Sequence, residues 1–155
     1  MTAHRLTNKE LQKGFTLIEL LVVIGVLAVL LAIVLIAINP AKQFSQANNT
    51  KRRSDVNAIL NAIDQYAADN KGTLPTGITT TDQDITTGAA DICAQLVTKY
   101  LAALPVDPKT NNGTPVTVCT SAYDTHYHVI QSVADNRVTV TAPDAELGES
   151  ISVTR

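Results

Sequence analysis

The residue whose type and position most invite chemistry is Glu19, the only charged side chain between Phe15 and Ile38. A charge at the centre of a membrane helix costs roughly 2.5–3.5 kcal/mol and less toward its end, so such groups pair or serve a function. The octet Lys13-Gly14-Phe15-Thr16-Leu17-Ile18-Glu19-Leu20 offers a partner. Cleavage after Gly14 would leave an ammonium on Phe15, about 6 Å along a helix from Glu19. Gly14 and Phe15 are therefore the expected processing site and Glu19 the expected assembly residue.

Other reactive side chains form weaker patterns. Cys93 and Cys119 both fall in the polar half of the chain, where one disulfide is expected if that half lies outside the cytoplasm; the alternative is two separate buried thiols. His126 and His128 share a strand face, but two ligands do not make a metal site. Asp82, Asp84, Asp107 and Asp124 lack the ligand spacing of a calcium loop. There is no nucleophile elbow, phosphate-binding glycine loop or Cys-x-x-Cys, so no enzyme activity and no cofactor are expected. Asn48-Asn49-Thr50 and Asn112-Gly113-Thr114 match the glycosylation tripeptide, a weak signal.

The elements that must position Glu19 are legible in the distribution of apolar residues. Residues 1–14 carry Arg5, Lys9 and Lys13 against Glu10, a basic leader held on the cytoplasmic side by the positive-inside rule. Residues 15–39 form a segment of membrane-spanning length, too long and lacking the small-x-small end of an ordinary secretory signal. Asn39-Pro40 should kink or break the helix. Over residues 40–72 an amphipathic helix is expected, with Val56, Ile59, Leu60, Ile63, Tyr66 and Ala67 on one face and Gly72 at its left-handed C′ position.

Residues 73–155 read as an extracytoplasmic head. The Thr-rich stretch from Thr73 to Ala90 is expected to be a coreless surface loop. Asp91 should cap a short helix bearing Ile92, Leu96, Val97, Tyr100 and Leu101, stopped by Pro105 and Pro108. Alternation then predicts strands at Val116/Val118, Tyr127/Val129, Val138/Val140 and Ile151/Val153, with a turn at Asp135-Asn136. The formal net charge is −2, and Lys51-Arg52-Arg53 is followed at once by Asp55, so no specific nucleic-acid surface is expected.

The leader ending in Gly14, followed by Phe15-Thr16-Leu17-Ile18-Glu19-Leu20-Leu21 and a long apolar helix, strongly resembles the type IV pilin superfamily of pilus subunits and pseudopilins. Weaker echoes follow in Asp69-Asn70-Lys71-Gly72-Thr73-Leu74-Pro75 and Leu104-Pro105-Val106-Asp107-Pro108. The resemblance implies an α+β fold, a long N-terminal helix packed on a small antiparallel sheet. It further implies cleavage by prepilin peptidase between Gly14 and Phe15, N-methylation of Phe15, and polymerisation with an assembly ATPase and an inner-membrane platform protein.

Its principal functional implication is a homopolymeric pilus subunit, a single-pass inner-membrane precursor that ends at the cell surface. The alternative is a periplasmic pseudopilin of type II secretion or DNA uptake. A third arrangement, an anchored head that binds a ligand without polymerising, has no use for the Gly14-Phe15 junction or for Glu19. The head departs from well-known members: it lacks the Trp-Gly and Asp-rich calcium loop of major type II pseudopilins, its cysteines do not bracket the C-terminal segment, and Pro40 lies about one turn later than the usual proline.

Overall fold

The computed structural model describes residues 14–155, so the expectations for the leader before Gly14 lie outside the described residues. The chain divides into two units, one ending at Pro40 and one spanning Ala41–Arg155.

In the first unit a single helix, α1 (Leu17–Ile38), has no buried residue. Its 22 residues span about 33 Å, enough for a hydrocarbon core of about 30 Å. A helix apolar on every side has no preferred burial face in water, as expected of a chain whose solvent is lipid. α1 stops where Asn39 turns left-handed (φ 45°, ψ 79°). Proline then stands first in the next helix, α2 (Pro40–Asp69), where its missing N–H costs no helical bond.

The second unit is the head. The inward face of α2 buries Val56, Ile59, Leu60, Ala62 and Ile63, and also the polar Asn49 and Arg52. The end of α2 differs from expectation by one residue. Lys71, not Gly72, takes the left-handed C′ position (φ 58°), and Gly72 follows at φ 85°, its N–H donating to the Ala67 carbonyl at 2.8 Å.

Four strands, β1 (Gln83–Thr86), β2 (Asp124–Gln131), β3 (Val138–Ala142) and β4 (Ile151–Thr154), form one antiparallel sheet in sequence order. Val129 pairs with Val140, and Val140 with Val153. Thr125, Tyr127, Val129, Val138, Val140, Ala142 and Ile151 point inward and are buried. The apolar residues among them share one core with the α2 face. The β2–β3 loop turns at Asn136, φ 57°.

Three sequence expectations are corrected. The Thr73–Ala90 stretch is not coreless: it supplies β1, and Ile85 and Ala90 are fully buried. The helix after Asp91 is a single turn, α3 (Cys93–Leu96), and Asp91 does not cap it. Instead Asp91 Oδ1 accepts the Tyr123 hydroxyl at 2.8 Å, and Thr98 turns the chain away at φ 76°. Val116 and Val118 form no strand; Val116 makes one isolated bridge to Leu104, and Val118 is exposed. Cys93, in α3, is disulfide-bonded to Cys119, which therefore lies in a loop rather than a strand.

The head is fastened by Arg52. Its guanidinium is completely buried and binds both carboxylate oxygens of the equally buried Asp107, at 2.6 and 3.0 Å. Arg52 Nη1 also donates to Glu146 (2.9 Å) and to Asn49 Oδ1 (3.0 Å). The Asn49 side chain closes the arrangement, accepting the Glu146 N–H at 2.9 Å and donating to its carbonyl at 2.8 Å. One side chain of α2 thus pins the loops before β2 and before β4. Removing one partner of a buried pair strands a charge, at a cost of about 3–5 kcal/mol. Arg52→Ala is therefore expected to lose about that much in urea unfolding of the detergent-solubilised chain, whereas Arg52→Met combined with Asp107→Leu loses markedly less. Equal losses in the two variants would contradict this account.

Candidate processing and assembly segment

Gly14 and Phe15 precede the helix and are exposed, Phe15 at 83%. Thr16 is the N-cap of α1, with extended backbone (φ −81°, ψ 153°). Its hydroxyl accepts the Glu19 N–H at 3.3 Å, and its own N–H donates to Glu19 Oε2 at 2.8 Å. This is a capping box, in which two helix-end donors are satisfied reciprocally. The Thr16 hydroxyl also donates to Glu19 Oε2 at 2.7 Å. Phe15 and Leu20, at the two positions that commonly make a hydrophobic staple, border the same cleft.

The carboxylate singled out in the sequence thus has a local partner that sequence reading missed. The signal was present: Thr16-Leu17-Ile18-Glu19 is a Ser/Thr-x-x-Glu capping pattern ahead of an apolar run. Arg52 was also missed, since its triplet was weighed only as a candidate nucleic-acid surface.

The remaining candidates are engaged elsewhere. His126 and His128 do not converge on a common point. His126 Nδ1 lies 3.0 Å from Asp144, while His128 is held between Asp82 (2.8 Å) and Asp84 (2.6 Å). His126 sits at φ 57° where the β1–β2 register shifts, a bulge that turns its ring outward. Asp107 belongs to the Arg52 anchor. Among the described residues no three His, Cys, Asp or Glu side chains surround a single metal position. Asn48 spends its amide on Glu146 at 2.9 Å, while Asn112 is exposed.

Residues 11–35 match the family described as the Prokaryotic N-terminal methylation motif. With the apolar helix and the four-stranded antiparallel head, this motif supports the type IV pilin and pseudopilin superfamily. The chain is similar to the Type II secretion system core protein G of Aeromonas hydrophila, 40% identical over 63 residues, covering 41% of this chain and 43% of that protein. It is similarly related to the Type II secretion system core protein G of Escherichia coli (strain K12), 41% identical over 66 residues and 43% of each chain. The match spans less than half the length of these curated relatives. No solved structure matches the chain.

Two head groups give its stability a pH profile. Hydrogen bonds from Asn48 and Arg52 hold Glu146 down at about 2, against an ordinary 4.5. A depressed folded pKa contributes stability above the unfolded value, lost as pH falls from 4.5 toward 2. His126 is raised above 6.5, chiefly by its hydrogen bond to Asp144. A raised folded pKa contributes stability below the unfolded value, lost as pH rises through the folded one. Thermal stability should therefore peak between about pH 5 and 6. Glu146→Gln should flatten the acid limb, and His126→Gln the alkaline limb, which for so exposed a pair is worth about 0.5 kcal/mol or less. An alkaline limb unchanged in His126→Gln would remove His126 from this account.

Proposed function

We propose that the chain is a pseudopilin-type filament subunit of a secretion system, made as a membrane-inserted precursor with its head outside the cytoplasm. It is structural rather than catalytic. The observation that carries this reading is the methylation motif over residues 11–35, set on a helix whose one charge is Glu19. Similarity to two secretion-system core proteins favours a periplasmic pseudopilus over the surface pilus that the sequence first suggests.

In this reading prepilin peptidase cuts between Gly14 and Phe15, and Phe15 is N-methylated. α1 anchors the precursor and later forms the filament core, driven by an assembly ATPase on an inner-membrane platform. Lipid tails are as apolar as Leu and Val, so helix association in the membrane relies on packing and polar pairs. Glu19 then supplies a directional pair with the Phe15 ammonium of a neighbouring subunit and sets the register.

Mass spectrometry of protein purified from its host should find a mature chain beginning at methylated Phe15. A chain beginning beyond Ile38 would mean ordinary signal cleavage. Glu19→Val, as sole subunit, should be processed and membrane-resident yet enter filaments at least about tenfold less, the factor that roughly 1.4 kcal/mol per contact represents. Sheared fractions and electron microscopy read this directly, and normal filament yield would exclude the register role. Deletion should abolish export of secreted proteins while sparing surface pili; the reverse phenotype would return the chain to the pilus class.

A further inference from the structure

The Thr16 capping box begins one residue after the Gly14–Phe15 bond, which lies outside α1. We infer that Thr16 is a positioning residue for precursor cleavage: by capping α1 it fixes the helix start at Leu17 and keeps the scissile peptide outside the helix and exposed. This rests on the processing reading above and adds a residue that reading does not need.

Hydrolysis at this bond adds water to the Gly14 carbonyl carbon and breaks its bond to the Phe15 nitrogen. Gly14 leaves as a carboxylate, and Phe15 gains the proton that makes it an ammonium. The attacking oxygen must therefore reach the Gly14 carbonyl. Were α1 one turn longer, that carbonyl would accept the Ile18 N–H and be wrapped by the next turn.

An apolar environment favours such lengthening, because unsatisfied backbone N–H groups at a helix end are costly there. The Thr16 hydroxyl removes the incentive by taking the Glu19 N–H, and Glu19 Oε2 takes the Thr16 N–H. Thr16 keeps ψ 153°, outside helical geometry. Among the described residues, nothing lies within 4 Å of a side chain placed on Gly14. The box also gives the Glu19 carboxylate a partner within its own chain before cleavage has made any ammonium.

The test uses full-length precursor in membranes with its prepilin peptidase, following the cleaved fraction over time and checking insertion by carbonate extraction. Thr16→Val keeps the shape and loses the hydroxyl; it should insert normally and show kcat/KM about fivefold lower, the factor that loss of an N-cap represents. Thr16→Ser and Thr16→Asn, both cap formers, should cleave at the wild-type rate. Wild-type kinetics in Thr16→Val, or Ser and Asn variants as slow as Val, would overturn the role of the cap. A wild-type precursor left uncut in the same assay would overturn the processing reading itself, and this role with it.

Discussion

The guanidinium of Arg52 is the interaction on which the head depends. It is fully buried, and its partners Asp107 and Glu146 come from the loops before β2 and before β4. A lone buried charge would be prohibitive, so neither loop can leave α2 without stranding the other charges. The apolar core beneath it, built on Ile59, Leu60, Ile63, Tyr127, Val129 and Val140, supplies the bulk driving force of collapse. That force is not directional. The fork of Arg52 on Asp107, and the two-point clamp of Asn49 on the Glu146 backbone, decide where the loops lie along the helix.

The first unit solves a different problem with the same chemistry. α1 has a continuous apolar surface, and two of its N-terminal donors, the Thr16 and Glu19 N–H groups, are answered by Glu19 and Thr16 within one turn. In the head a carboxylate is matched across a distance of many residues; in the anchor it is matched three residues away. The local arrangement is the exchangeable one, since a carboxylate held by one backbone N–H and a hydroxyl can turn to a stronger cationic partner when one appears.

Legibility in the sequence followed the range of the interactions. β3 and β4 alternate cleanly, and the apolar face of α2 recurs at helical spacing, so both could be read. β1 could not: Ile85 is its only large apolar residue, and one inward side chain makes no period. Asp91 looked like a cap because local competition for backbone donors is what such residues usually win. Here the distant Tyr123 hydroxyl won. The Val116–Val118 alternation lacked a partner strand, and pairing rather than propensity makes a strand. The anchoring role of Arg52 could not be read because Asp107 and Glu146 stand 55 and 94 residues further on. Thr16 was legible in principle, being three residues from its partner.

Those same separations give the Arg52 anchor a place in time. As the chain lengthens, α2 is complete while Glu146 has not yet been made, and contacts so distant in sequence are closed late because their loop entropy is met before they reward it. Until then Arg52 lacks its Glu146 partner and Asn49 its two-point clamp, although Asp107 and the first three strands are already present. The loop that leads into the last strand is thus also the one whose arrival completes the lock on α2. Completion of the head is thereby registered at its oldest element by one of its newest loops, and a chain truncated before residue 146 lacks the Glu146 half of the anchor.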